Sequence, residues 1–136
     1  MCEKFDEDIL MKVWGIRENT ALIFEICKLF EETQLQGLQA LVETLSRQAH
    51  DDSVYWLHRM KGSALNVGAV GFARSLDSYC RFIRERTGAD LDQVWIQSCQ
   101  ESLAKDFQDA RTFTSRVLSS LPTGKTNRSE VSVANS

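Results

Sequence analysis

An all-α fold is predicted for this chain: an antiparallel up-down four-helix bundle with a short extra N-terminal helix. Three observations predict it. Apolar residues recur at three- and four-residue steps along most of the chain. No alternating strand and helix pattern is present, which also excludes a doubly wound α/β domain. Asn, Asp and Gly fall where those periodic stretches need caps and stops. Length agrees, because 136 residues suit one domain, and at this size roughly two thirds of the unfolded surface can be buried.

The elements follow in order. Phe5, Ile9 and Val13 keep a four-residue step behind the acidic first turn Asp6, Glu7, Asp8, and Gly15 offers a stop, which predicts a short first helix covering one end of the bundle. Asn19 can cap the next helix, whose stripe of Ile23, Ile26, Cys27, Phe30, Leu38, Leu41, Val42 and Leu45 runs to about Gln48, with Gly37 as its weak point. Asp51 or Asp52 can cap a helix over 51–67, and Gly68 is placed to end it in a left-handed conformation. Phe72, Leu76, Tyr79 and Ile83 mark the inner face of a further helix that Gly88 stops. Asp90 can cap the last, whose stripe runs from Leu91 and Trp95 through Leu103, Phe107, Ala110, Thr114, Val117 and Leu118 to Leu121. Pro122, the only proline, ends the regular part. The bundle is expected to occupy 1–121, and the polar, aperiodic stretch 122–136 is expected to be a disordered tail.

Composition excludes several classes of function. A formal charge of −3 with acidic and basic residues interspersed gives no electrostatic case for nucleic acid or an anionic membrane. No long uncharged apolar run and no basic-then-apolar leader is present, so a cytoplasmic protein is expected. Cys2, Cys27, Cys80 and Cys99 are widely spaced, without Cys-x-x-Cys or a histidine three or four residues away. They are expected to be free thiols, and no metal site is predicted.

The most informative stretch is Leu57-His58-Arg59-Met60-Lys61-Gly62-Ser63-Ala64, followed by Gly68-Ala69. On a helix, Leu57, Met60, Ala64 and Val67 form one stripe, which must be buried, so His58 points away from the core. Gly62 lies one turn beyond His58 on the same side. A glycine inside a helix costs about 1 kcal/mol relative to alanine, and open access to the imidazole is a reason to keep it. Lys61, three residues on, neighbours His58 and could set an ammonium against a phosphoryl group carried by the ring. Arg59 and Leu65 could add a charged edge and an apolar contact for a partner. Arg74, Arg81 and Arg84 read as a solvated face, and His50, without the Lys and Gly context, as a loop or helix-end residue.

With these residues the chain resembles the histidine-containing phosphotransfer (HPt) family. That family's pattern is a histidine, Lys-Gly three and four residues on, small residues, and a glycine ten residues after the histidine, often followed by alanine. Here these are His58, Lys61-Gly62, Ser63-Ala64 and Gly68-Ala69. The resemblance extends through the helical layout from about Phe5 to Leu121. It implies a stand-alone phosphorelay intermediate of two-component signalling, a carrier and not an enzyme, with His58 as the phosphorylated residue. Lys61 would stabilise the phosphoryl group, Gly62, Arg59 and Leu65 would provide access and docking, and Gly68 would be the structural turn. The implied partners are receiver domains of hybrid sensor kinases and response regulators. The chain would need no cofactor of its own, the magnesium ion sitting on the receiver, and would be a monomer. One position departs from the pattern: Cys80 stands twelve residues after Gly68, where members often carry Glu or Gln to orient the imidazole. The rival from another class is a helical adaptor that binds receivers or other signalling proteins without being phosphorylated. A bundle that dimerises through the histidine helix, like kinase dimerisation domains, usually shows Glu or Asp after the histidine, and Arg59 argues against it.

Overall fold

The computed structural model describes residues 4–9 and 20–121. Four α-helices make up the described fold, with no strands among those residues: α1 (Thr20–Ser46), α2 (His50–Asn66), α3 (Val70–Arg84) and α4 (Gln93–Ser120). The all-α bundle predicted from periodicity is therefore what forms. α2 packs against α1 and α3, and α4 against α1 and α3, so the helices close a ring around one core. Consecutive helices are joined by short connections and pack on one another.

The predicted stripes supply most of that core. Ile23, Phe30, Leu41 and Leu45 of α1, Leu57, Met60 and Ala64 of α2, Phe72, Leu76 and Ile83 of α3, and Leu103, Phe107, Ala110 and Val117 of α4 are buried. Val42 is a correction: it lies outside the stripe and is exposed. Leu38, Tyr79, Trp95 and Leu118 are half-buried at its edge. Cys27, Cys80 and Cys99 are free and buried, as expected of small hydrophobes. Burial pushes the Cys27 thiol up to about 11 and the Cys99 thiol up to about 12, so both stay protonated at neutral pH.

The expected weak point takes another role. α1 runs unbroken through Gly37, where a Cβ would overlap the Met60 side chain, so this glycine lets α1 and α2 approach closely. Three residues earlier, the buried Gln34 donates from Nε2 to the Met60 carbonyl at 2.9 Å, while its Oε1 finds no hydrogen-bond partner among the described residues. Leaving a buried acceptor unmet costs about 1–3 kcal/mol, which the surrounding apolar packing must offset.

Several caps differ from their sequence assignments. α1 stops at Ser46, and Gln48 takes the left-handed conformation (φ 57°) that turns the chain. Its side chain then pairs with the backbone of Leu91, accepting from Leu91 N at 2.6 Å and donating to Leu91 O at 3.0 Å. The N-cap of α2 is Ala49, without a side-chain cap, and Asp51 and Asp52 instead lie in the first turn, where they favour the positive end of the helix dipole. His50, the first residue of α2, places its ring nitrogens 2.9 Å from the Gln48 carbonyl and 2.8 Å from the Ala89 carbonyl. The Gln48 and His50 side chains thus tie the α1–α2 turn to the segment between α3 and α4. α4 is capped by Asp92 and not by Asp90, with Asp92 Oδ1 accepting from Val94 N at 2.8 Å. α3 ends at Arg84, and Gly88 (φ 87°) serves in the turn that follows. Gly68, at φ 82°, ends α2 as predicted.

Residues 4–9 lie across the α2–α3 turn. Asp6 N donates to Gly68 O at 2.6 Å, Gly71 N donates to Lys4 O at 2.8 Å, and Phe5 stacks on Phe113 with ring centroids 4.6 Å apart. A Cβ on Gly71 would come within 2.9 Å of Lys4 Cα, and one on Gly68 would strike the Asp6 carbonyl. The remainder of the expected first helix, with Val13 and Gly15, the Asn19 cap, and the stretch 122–136 with Pro122 all lie outside the described residues. Gly68→Ala is expected to lower the unfolding free energy by about 1–3 kcal/mol, because it forces a side chain into a left-handed position under the strap. A urea titration that leaves the midpoint unchanged contradicts this.

Candidate functional site

α2 determines the site. Burying Leu57 and Met60 contributes about 1.5–3 kcal/mol each, whereas an exposed ion pair contributes about 0–1 kcal/mol. The apolar stripe therefore decides how α2 is rotated. With Ser53, Leu57, Met60 and Ala64 inward, His58, Arg59, Gly62 and Leu65 all face solvent.

Gly62 has the open surroundings that the sequence suggested, since a Cβ built there meets nothing within 4 Å. Around this bare patch stand exposed apolar side chains: Leu65 (40 % exposed) and Tyr55 (55 %) on α2, and Leu29 (53 %) on α1. Arg59 is held over this surface by Nη1 donating to the Tyr55 hydroxyl at 3.3 Å and by the Trp56 ring, whose centroid is 5.7 Å from the guanidinium.

Two hollows flank the ridge. One, of about 440 Å³, is lined by Asp51, Val54, Tyr55, His58, Arg59 and Arg84. The other, of about 400 Å³, lies toward α1 and includes Leu29, Thr33, Arg59, Gly62 and Ser63. Arg84 is the residue that sequence reasoning assigned elsewhere. It read as part of a solvated arginine face, and nothing local shows that the end of α3 sits beside His58. Leu29 and Tyr55 were missed as well, although an apolar residue off the helical stripe is a readable signal.

Lys61 is placed differently from expectation. Its Nζ donates to Asp77 Oδ1 on α3 at 3.0 Å, both side chains being about two thirds buried, and Arg81 Nε approaches Asp77 Oδ2 at 3.6 Å. The ammonium that the motif offers to a phosphoryl group is thus compensated by a carboxylate. Gly68 stands apart from the exposed face, as a helix stop and anchor for the strap. Cys80 lies beneath the hollow, with Sγ donating to the Val54 carbonyl at 3.8 Å, and burial raises its pKa. It is aimed at backbone, and no hydrogen bond to the His58 ring occurs among the described residues. His50 is remote from this face, tied to the turns as described.

No group of three or more His, Cys, Asp or Glu side chains that could hold a metal ion occurs among the described residues, and no described helix is long and apolar enough to cross a membrane. The chain can present an unhindered imidazole on a rigid helix, beside two guanidinium groups and apolar surface. Compared with known proteins, it matches no family model, no curated protein and no solved structure.

Asp77 supplies a pH test of the Lys61 pair. The hydrogen bond from Lys61 holds its carboxyl below the usual value of 3.8, with the Arg81 and Arg84 charges adding to this and burial opposing it. A depressed folded pKa means stability that is present above the unfolded value and is lost as pH falls through the folded one. The stability difference between wild type and Asp77→Asn should therefore be constant from neutral pH down to the region of 3.8 and shrink below it. Denaturant titrations across that range check this, and a difference that grows on acidification contradicts it.

Proposed function

We propose that this chain is a phosphorelay intermediate of two-component signalling. His58 accepts a phosphoryl group from the aspartate of one receiver domain and passes it to another. The observation that carries the reading is the exposed His58 with open space over Gly62 on a helix otherwise anchored by its apolar stripe. The resemblance of His58, Lys61-Gly62 and Gly68-Ala69 to the HPt motif supplies the rest.

The chemistry asks little of the carrier. The unprotonated nitrogen of the neutral imidazole donates its lone pair to phosphorus, and an N–P bond forms as the P–O bond of the acyl phosphate breaks. The aspartate leaves with that electron pair as a carboxylate, and the proton on the other ring nitrogen can pass to water. Transfer onward reverses these bonds on a second receiver. In-line positioning and charge neutralisation dominate phosphoryl transfer, and the receiver's magnesium ion would supply most of the latter. The carrier supplies an unshielded nitrogen and a face to dock, here Leu65, Tyr55 and Arg59. On this reading it works as a cytoplasmic monomer.

The second reading, a phosphate-independent adaptor, is favoured by two observations: Lys61 is occupied by Asp77, and Cys80 offers the ring no polar partner. One experiment separates them. Incubated with a small phosphoramidate and then with a phosphorylated receiver, the wild type should acquire an acid-labile, base-stable phosphate that folded His58→Gln lacks. No phosphate on the wild type leaves the adaptor. Gly62→Ala should part stability from function. It raises the unfolding free energy by about 0.5–1 kcal/mol, as an exposed helical glycine replaced by alanine does, yet slows receiver transfer severalfold. Faster or unchanged transfer argues against access at this position.

A further inference from the structure

Resting on the phosphorelay reading, we infer that the phosphoryl group on His58 is received by the hollow between α2 and α3, with Arg84 as its principal cation in place of Lys61. Three observations converge. First, Arg84 and His58 line the same hollow, whereas Lys61 lines the neighbouring one with Leu65, Asp77 and Arg81. Second, Lys61 is already hydrogen-bonded to Asp77, while Arg84 makes no ion pair among the described residues. Moving Lys61 to a phosphate means breaking a 3.0 Å contact and leaving Asp77 with Arg81 at 3.6 Å. Arg84 is held in no ion pair among the described residues and gives up only a longer-range attraction to Asp77 by turning to an anion.

Third, the hollow has the chemistry of a phosphoryl site. A guanidinium presents a planar fork of donors that matches phosphate oxygens. Arg84 comes from α3 and Arg59 from α2, so the two approach the hollow from different helices, and the Tyr55 hydroxyl that Arg59 contacts stands on the same wall. Asp51 is the one acidic residue lining the hollow. It opposes an incoming anion and sets the balance at two cations against one carboxylate. That makes the site suited to transient occupancy, since a group held too tightly is not passed on.

The test uses the whole chain and a small phosphoramidate, so that receiver docking plays no part. Arg84→Gln should slow phosphorylation of His58 by roughly tenfold, the order expected for losing one charge-assisted hydrogen bond. Arg84→Lys should recover part of the rate. Arg81→Gln, which removes the same charge from the same helix outside the hollow, should change it less than about twofold, by the weak effect of a screened surface charge. Asp51→Asn should raise it. Phosphorus NMR of the phosphorylated protein gives a readout that a merely structural role leaves still: the pH midpoint of phosphoryl protonation should rise in Arg84→Gln, because the cation that favours the dianion is gone. A phosphorylated wild type with Arg84→Gln at wild-type rate and midpoint, or with Arg81→Gln equally impaired, overturns this inference alone. A wild type that takes no phosphate overturns the phosphorelay reading with it.

Discussion

Everything about the exposed face depends on one constraint, the burial of a single narrow stripe of α2. Ser53, Leu57, Met60 and Ala64 turn inward between α1 and α3, and a helix of 3.6 residues per turn then has no freedom over where His58, Gly62 and Leu65 point. The neighbouring helices enforce this. Gly37 brings α1 against Met60, Gln34 bonds the Met60 carbonyl, and the buried Ser53 hydroxyl donates to the Thr44 hydroxyl at 2.8 Å. Rotating α2 by one residue step would expose Leu57 or Met60 and break these contacts together. The imidazole is therefore displayed by packing and hydrogen bonds on the opposite face of α2, with no polar partner on the ring itself among the described residues.

The charged groups around this face divide into two sets with different duties. Asp77 gathers Lys61 and Arg81 into one network that fastens α2 to α3, and its lowered pKa reflects that service. Arg59 and Arg84 stand beside His58 and make no ion pair with Asp77, although the Arg84 charge helps to lower its pKa. A lysine paired at 3.0 Å is costly to redirect, whereas a guanidinium braced by an aromatic ring or left in solvent can meet an anion without reorganisation. The division matters more than the total charge, which is slightly negative for the chain as a whole.

The far ends of the bundle are organised by backbone and polar side-chain contacts in addition to apolar ones. The strap at 4–9 needs both Gly68 and Gly71 bare, and the Gln48 and His50 side chains reach from the α1–α2 turn to the segment leading into α4. These ties hold the turns in the arrangement that the packed core sets.

Much of this was legible in the chain alone. Periodicity showed four long helices, the buried stripe of α2, the left-handed stop at Gly68 and the outward direction of His58 and Gly62, because each follows from helical geometry within one element. Caps were misread by two residues at Asp92 and replaced altogether at Ala49, since several nearby residues could serve and local sequence does not choose among them. Lys61 was legible as a neighbour of His58 but not as the partner of Asp77, sixteen residues away on another helix. Arg84 beside His58 was hidden for the same reason. Periodicity fixes where a side chain lies around its own helix axis, while the pairing of side chains between helices depends on their relative rotation and height, which only the packed core decides.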